Sequence, residues 1–183
     1  MYKKDIISII YKWGGYLLKI SRDIEINTNL DKIYNILTDG EQTVKWNPIV
    51  NEITLLEENK YLLKSTIGDI IINKIEKVKD IYIKWIMVQS DLHSMGYLLS
   101  EKIPIAKVEL WVEYENKTLK KKFKETADLT LEGLKKYIEF IEAGGNITEY
   151  DKQKWKLTQW FFLFIYNYLY SDFSKYSKLI KKL

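Results

Sequence analysis

Arg22 is the residue of this sequence that most clearly suggests a chemical role. It lies between Ile20 and Ile24 in an alternating segment, on the face whose other members are apolar. A guanidinium withdrawn from water needs a carboxylate or an anionic ligand, because an unpaired buried charge is very costly. Arg22 therefore has two interpretations. It binds a carboxylate or phenolate of a ligand, or it pairs with a nearby acid or lies in solvent where the strand bulges or ends.

His93 is the single histidine and falls in a segment, 90–96, that we predict to be a loop. An imidazole at a cavity mouth can act as a general acid or base. The competing interpretation is a solvated loop histidine with no catalytic role. Neither a Ser-His-Asp set nor a spaced carboxylate pair stands out in a chain so rich in Glu and Lys. We therefore predict no catalytic residue.

The composition contains few residues of the types that bind metals or cofactors. The sequence has no cysteine, so thiolate chemistry, disulfides and cysteine-ligated zinc are excluded, and one histidine cannot build a His-rich site. A carboxylate-only site remains formally open, but no calcium-loop spacing is present. We expect no metal and no cofactor.

The tryptophans of the strand-like segments fall into two groups. Trp85 shares a predicted strand face with Ile83 and Met87, whereas Trp111 shares a polar face with Glu109 and Glu113. We therefore expect Trp85 in the core or a cavity wall and Trp111 on the outer face of a sheet. Aromatic walls suit planar hydrophobic ligands, and they suit plain core packing equally well.

The composition sets the wider limits. A chain of 183 residues with 46% hydrophobic content suits one domain with a sizeable core. The net charge of +4, from 29 basic and 25 acidic residues, is too small to indicate nucleic acid. We interpret the basic runs at 120–124 and 178–182 as a solvated strand edge and a helix end. No signal-peptide pattern is found, because Lys12 interrupts the short apolar run at 6–11, so a cytoplasmic location is expected.

The alternation of apolar and polar residues over 16–27 predicts a strand with one buried face. Asn29 can cap a helix that carries Leu30, Ile33, Tyr34 and Leu37 and stops at Asp39-Gly40. A second helical turn at 41–45 leads into Trp46-Asn47-Pro48. Turn signals at regular intervals then predict an antiparallel meander. Its strands are predicted at 49–56, 61–67, 70–78, 81–88, 106–114 and 118–125, with a long loop at 89–104.

The last third of the chain is predicted to be helical. One helix covers 131–143 and stops at Gly144-Gly145, and a longer one runs from Asp151 onward. The first half of the longer helix is apolar nearly all round, which predicts burial or pairing. The aromatic run Trp160–Tyr170 is too short to span a bilayer, which needs about 20 apolar residues, so membrane contact would be peripheral at most. We predict a single domain over 1–183, with an N-terminal arm or helix at 1–15 and an extra helical insertion at 127–150.

The order of these elements, with the segment SRDIEINTNLDKIYNILTDGEQTVKWNP, resembles the START / polyketide cyclase-like superfamily (SRPBCC, Bet v 1-type). Ile33-Tyr34-Asn35-Ile36-Leu37, Asp39 and Trp46-Asn47-Pro48 stand where members of that superfamily typically carry a helix core, an acid at the helix end and a Trp-x-Pro step. The resemblance covers roughly residues 16–126 and the final helix. The helix at 131–143 and the first 15 residues depart from the usual pattern.

The resemblance implies an α+β helix-grip fold, in which a curved seven-stranded antiparallel sheet wraps around a long C-terminal helix and leaves a cavity between them. The resemblance and the aromatic-rich final helix together lead us to expect that this cavity binds a small hydrophobic or lipid-like ligand, with little or no catalysis. The residues expected to contact the ligand are Arg22, Tyr34, Trp46, Trp85, Met87, Trp160 and Phe164. Two alternatives stay open. One is a cyclase- or dehydratase-like enzyme using Arg22, a tyrosine and a carboxylate, and the other is a module that dimerises or binds a partner through its C-terminal helices.

Overall fold

The structure is a computed structural model that describes residues 17–88, 90–102 and 104–154. Seven strands form one antiparallel sheet, and two short helices follow the first strand. The strands are β1 (Leu18–Ile26), β2 (Val50–Glu57), β3 (Lys60–Ser65), β4 (Ile70–Val78), β5 (Tyr82–Val88), β6 (Leu92–Lys102) and β7 (Ile105–Tyr114). The helices are α1 (Leu30–Thr38), α2 (Gly40–Trp46) and α3 (Lys120–Glu142), with single 3-10 turns at Lys117–Leu119 and Ile147–Glu149.

The sheet order is β1-β7-β6-β5-β4-β3-β2, so β2 to β7 form a meander and β1 closes onto β7. β1 pairs with β7 along its whole length, from Leu18 opposite Tyr114 to Ile26 opposite Ala106. Register shifts interrupt β4 at Ile72/Lys74 and β6 at Leu92/Ser94. Such bulges bend and twist a sheet, which lets this one curve around a helix. The α+β helix-grip class is therefore confirmed.

The two short helices are fixed by side-chain caps. The Asn29 side chain accepts a hydrogen bond from the Lys32 backbone N–H at 2.8 Å, which starts α1 as the sequence predicts. Asp39 ends α1 and also caps α2, because its carboxylate accepts from the Gln42 backbone N–H at 3.1 Å. One acidic residue thus turns the chain between two helices and sets the direction of α2.

The helix in the grip of the sheet is α3. Its buried side chains include Phe123, Ala127, Leu131, Leu134 and Ile138, a stripe at the spacing of one helix face. The predicted strand at 118–125 is therefore wrong, since these residues form a 3-10 turn and the first turns of α3. The helix predicted at 131–143 is the second half of the same element. The longer helix predicted from residue 151 lies, from residue 155 on, outside the described residues.

The predicted loop at 89–104 is also wrong, because Leu92–Lys102 forms the full-length strand β6. Gly96 suggested a turn, but in the structure it lies inside the strand under the ring of Trp111. A β-carbon built on Gly96 would lie 2.7 Å from Trp111 Cζ2 and would overlap the Ile83 carbonyl oxygen. The glycine is there for close packing, and it does not break the strand.

Two buried clusters form the core. The larger joins α1, α2, the second half of α3 and the adjoining strands, around Trp46, Leu134 and Tyr137. The smaller lies around Ile20, Tyr114 and Phe123, where Tyr114 and Phe123 pack edge to face at 5.0 Å. Among the described residues, no helix is long and apolar enough to cross a membrane.

Candidate functional site

A cavity of about 310 Å³ lies between the two core clusters. The concave face of the sheet forms most of its wall, α2 forms one end, and the first half of α3 covers it. From α3 come Phe123, Thr126, Ala127 and Thr130. Cavities of this size are typical of small-molecule sites in proteins, which are about 300–1,000 Å³.

The wall of the cavity is largely aliphatic and aromatic. Isoleucines from β4 and β5, two methionines and Trp85 line the sheet side. Trp85 packs edge to face on Tyr97, with ring centroids 5.6 Å apart. Among the described lining residues, Lys77 is the only one with a charged side chain, and it is exposed. The interior therefore favours an apolar and uncharged occupant.

Four of the lining side chains are aromatic and carry a polar atom, those of Trp46, Tyr61, Trp85 and Tyr97. Trp46 is only 1% exposed, and its indole nitrogen is buried with no hydrogen-bond partner among the described residues. Tyr97 is 3% exposed, and burial raises the pKa of its hydroxyl well above the usual range, so that the group stays protonated. By contrast, the Asn47 side chain already accepts a hydrogen bond from the Ile49 backbone N–H at 3.0 Å.

Helix α2, which ends at Trp46, is held at both of its ends. Asp39 accepts a hydrogen bond from the Gln42 side chain at 2.8 Å, and the amide oxygen of Gln42 accepts one from the Tyr137 hydroxyl at 3.3 Å. The two hydrogen bonds from Gln42 lower the pKa of Asp39, and burial, with the nearby Asp39 charge, raises the pKa of Tyr137. This network ties the start of α2 to α3.

Lys152 holds the C-terminal end of α2 and the turn into β2. Its ammonium donates to the backbone carbonyls of Val44, Asn47 and Val50, which lie on both sides of Trp46. Carbonyls at the end of a helix carry partial negative charge and favour a cation. The chain that follows α3 is thereby bound to the α2–β2 turn.

Three of the residues predicted to contact a ligand line the cavity. These are Trp46, Trp85 and Met87. Tyr34 is half-buried and packs against the larger core cluster, away from the cavity lining. Trp160 and Phe164 lie outside the described residues.

Arg22 does point inward, as the alternation predicts, but it does not reach the cavity. Its Nε atom lies 2.9 Å from Oδ1 of Asp128 on α3, and the two side chains are 34% and 56% exposed. The pairing with a nearby acid, one of the two sequence interpretations, is the arrangement in the structure. Arg22 therefore links β1 to α3, and its position does not support a ligand contact.

His93 and Trp111 lie away from the cavity lining. His93 is exposed on β6, not in a loop. Trp111 covers Gly96 on the outer face of the sheet, where Lys19 Nζ lies 4.8 Å from the ring centroid. The prediction for Trp111 is confirmed. No group of His, Cys, Asp and Glu able to hold a metal is found in the part of the chain that the structure describes.

Several lining residues were missed in the sequence because their elements were misassigned. Met95 and Tyr97 belong to β6, and Thr126, Ala127 and Thr130 belong to α3. The alternation of Met95, Tyr97 and Leu99 was a usable strand signal. The spacing of Phe123, Ala127, Leu131 and Leu134 was a usable helix signal.

Comparison with known proteins gives the fold and no more. No family model matches the chain, and no curated protein matches it. Among solved structures, it is similar to the ZhuI aromatase/cyclase from a Streptomyces species, at 11% identity and a TM-score of 0.63, over 72% of this chain and 100% of that one. It is similar to a START superfamily protein from Mycobacterium smegmatis, at 16% identity and a TM-score of 0.60, over 67% and 98% of the two chains.

A third similar structure is the Aha1 dimer from Colwellia psychrerythraea, at 16% identity and a TM-score of 0.53, over 64% of this chain and 93% of that one. The described part of the chain therefore has the START-like helix-grip fold shared with aromatase/cyclases and Aha1-like proteins. The resemblance stated from the sequence is confirmed at the level of fold.

Proposed function

We propose that this protein binds a small hydrophobic or lipid-like ligand in the cavity between the sheet and α3. The observation that carries the proposal is the cavity itself, about 310 Å³ of space with a mainly apolar wall. Protein interiors are normally close-packed, and an unfilled apolar space forfeits dispersion contacts. A ligand that fills the cavity would recover those contacts. Its own apolar surface would also be removed from water, which favours binding.

Access to the cavity supports the same proposal. The lining includes the exposed residues Gly40, Asn59 and Lys77, so the cavity reaches the surface beside them. A ligand could enter there while its apolar part contacts the isoleucines of β4 and β5. A polar end, if the ligand has one, would remain near water at this mouth.

The enzyme alternative has less support from the described geometry. The set expected for it was Arg22, a tyrosine and a carboxylate, yet Arg22 pairs with Asp128 and no carboxylate belongs to the described lining. We therefore propose binding with little or no catalysis. The cytoplasmic location, the homodimer and the single-domain organisation stay predictions.

Binding can be tested with N-phenylnaphthylamine, an uncharged dye that fluoresces in apolar surroundings. We expect saturable binding, with quenching of tryptophan fluorescence that is lost in a Trp85→Phe variant. Absence of saturable binding to the folded protein would contradict the proposal.

A blocking variant locates the dye. Thr126→Phe places a ring in the cavity from α3 and is expected to weaken dye binding by about tenfold or more. Thr126→Val is the matched control, because valine has nearly the shape of threonine and should leave the dissociation constant almost unchanged. Equal binding by both variants would place the dye elsewhere on the protein.

A further inference from the structure

Lys77 of β4 lies at the rim of the cavity. It stands opposite Ile83 in the β4–β5 pairing, and Ile75, two residues earlier, stands opposite Trp85. All four residues line the cavity, so Lys77 belongs to the concave face of the sheet and continues the row of Ile75 toward the end of the strand. Lys77 is exposed. The apolar stem of a lysine can follow an apolar wall while its ammonium stays in water, and this position suits that arrangement.

The charge of Lys77 is not neutralised by an acidic partner. Lys74 of the same strand pairs with Glu76 at 2.8 Å, and Lys79, just beyond the strand, pairs with Asp31 of α1 at 2.9 Å. Lys77 lies between these two pairs and has no ion pair of its own in the described part of the chain. No carboxylate belongs to the described lining either. An anion at the rim would therefore meet an unpaired positive charge.

The rim at Lys77 is the end of the cavity that reaches the surface. The other exposed residues of the described lining are Asn59, in the turn between β2 and β3, and Gly40, at the start of α2. In an antiparallel meander the β2–β3 and β4–β5 turns lie at the same edge of the sheet, so Asn59 and Lys77 share one end of the cavity. A β-carbon built on Gly40 would have Ile53 Cδ1, at 4.0 Å, as its nearest neighbour outside its own helix. The space beside Gly40 is therefore open.

The volume of the cavity limits the apolar part of a ligand. The cavity measures about 310 Å³. A methylene group is close in size to a water molecule, which takes up about 30 Å³ of the liquid, so the cavity holds a chain of about ten carbons. An anion deep among the apolar side chains would be desolvated without a buried counter-charge, whereas an anion at the mouth keeps much of its water. A charged group and an apolar chain are thus accommodated at different depths.

We infer that the ligand is an amphiphile with a chain of about ten carbons and a compact anionic head group, and that Lys77 binds this head group at the mouth while the chain fills the cavity. The inference depends on the proposed function, since it names the class of ligand that the same cavity binds. Lysine is a point charge and does not select carboxylate over phosphate by shape, so the head group is defined by its charge. Lys77 is thereby assigned the role of a specificity-determining residue.

The test uses three probes that share one alkyl chain and differ in the head group, namely decanol, decanoate and decyl phosphate. Each is titrated against N-phenylnaphthylamine bound to the full chain, below the concentration at which micelles form. The readout is the affinity of each anion relative to that of decanol, because this ratio cancels any change of the cavity that affects all three chains equally. Comparison of the two anions shows whether a carboxylate or a phosphate head group is preferred.

Substitutions of two lysines give the expected differences. Lys77→Met keeps the apolar stem and removes the charge, so the ratio should fall about two- to fivefold, as for the loss of an exposed ion pair. Lys77→Glu should lower it further, because it places a like charge at the mouth. Lys74→Met is the matched control, since Lys74 is an exposed residue of the same strand that does not belong to the lining. It removes the same charge from the protein and should leave the ratio unchanged.

The outcomes separate the two ideas. If neither the dye nor any of the three probes binds, the proposed function fails, and this inference fails with it. If the probes bind but Lys77→Met lowers neither ratio more than Lys74→Met does, the cavity binds apolar chains and the role of Lys77 is overturned. A fall in the ratio of either anion with Lys77→Met, and not with Lys74→Met, supports the inference. Added salt should then lower the same ratio in the unmodified protein, because it screens an exposed charge pair.

Discussion

Gly133 of α3 lies directly against Trp46, so closely that a β-carbon built on Gly133 would stand 3.0 Å from the Trp46 carbonyl oxygen and 2.6 Å from Cδ of Pro48. Neither neighbour can move away easily, because one is a backbone atom and the other belongs to a ring. The contact brings α3 against the Trp46-Asn47-Pro48 turn at one end of the cavity.

Gly133→Ala should therefore destabilise the protein. In an open helix this change would stabilise by up to about 1 kcal/mol, since glycine is a poor helix former. Here the overlap of the new methyl group with Pro48 should make the substitution destabilising. It should lower the free energy of unfolding by about 1–3 kcal/mol. Urea unfolding followed by circular dichroism measures it. Lys121→Ala, at an exposed position of the same helix, is the control and should change stability by less than about 0.5 kcal/mol. Stabilisation by Gly133→Ala would show that the helix has room to shift.

The Arg22–Asp128 ion pair should couple β1 to α3 only weakly. Arg22 Nε and Asp128 Oδ1 are 2.9 Å apart, but both side chains keep contact with water, so solvent screens the attraction. A double-mutant cycle with Arg22→Ala and Asp128→Ala should give a coupling free energy of about 0.2–1 kcal/mol. The reversed pair, Arg22→Asp with Asp128→Arg, should recover part of what either reversal alone loses. Coupling well above this range would mean that the pair is desolvated.

These contacts show which parts of the fold the sequence could predict. β1 and α1 followed from local signals, namely the alternation up to Ile26 and the Asn29 cap. The breaks between the predicted strands at 57–60 and 79–80 also match the structure. Asn59 and Asp80, which lie in them, have positive φ, 61° and 55°, which asparagine and aspartate tolerate better than most. Local chemistry decided these elements, so local inspection was enough.

Elements whose signals are set by distant contacts were misassigned. Gly96 in β6 reflects the ring of Trp111 on a neighbouring strand, a reason that cannot be found within its own segment. The lysine-rich start of α3 carries cations at a helix N-terminus, where they are unfavourable, so the segment did not resemble a helix start. The count of seven strands was right because one missed strand and one false strand cancelled. Trp46 and Trp85 line the cavity. Arg22 follows the second of its two sequence interpretations, pairing with an acid. The partner, Asp128, could not be named from local sequence because it lies over 100 positions away.

Glu142 should make stability depend on acidity. It accepts hydrogen bonds from Thr28 Oγ1 at 2.6 Å and from Lys32 Nζ at 3.0 Å, which join the end of α3 to the start of α1. These bonds lower the pKa of Glu142 below the ordinary 4.5. A depressed pKa in the folded state stabilises the protein above the unfolded-state value, and that contribution is lost as pH falls through the folded-state value.

We therefore expect Glu142→Gln to lower the melting temperature near neutral pH and to have a shrinking effect below about pH 4.5. Glu58→Gln, in the exposed turn between β2 and β3, is the matched control and should change the melting temperature little across the same range. A difference between wild type and Glu142→Gln that stays constant down to acidic pH would show that the charge of Glu142 is not what stabilises the contact.

Lys152 should contribute measurably to stability. Its ammonium donates to three backbone carbonyls, those of Val44, Asn47 and Val50, and each would lose its charged donor in Lys152→Met. Methionine keeps the length and apolar stem of lysine, so the loss reports mainly on the hydrogen bonds. We expect a cost of about 1–3 kcal/mol in the free energy of unfolding. Gln153→Met, at the exposed neighbouring position, should cost less than about 0.5 kcal/mol.

Lys152→Met should affect ligand binding as well as stability. Because the three carbonyls flank Trp46, releasing them should loosen the turn that holds the indole ring, and binding of N-phenylnaphthylamine should weaken as well. Gln153→Met should leave dye binding unchanged. If Lys152→Met lowers stability without changing the dissociation constant, then Gly133 and the Asp39–Gln42–Tyr137 network suffice to hold Trp46, and Lys152 acts only on the fold.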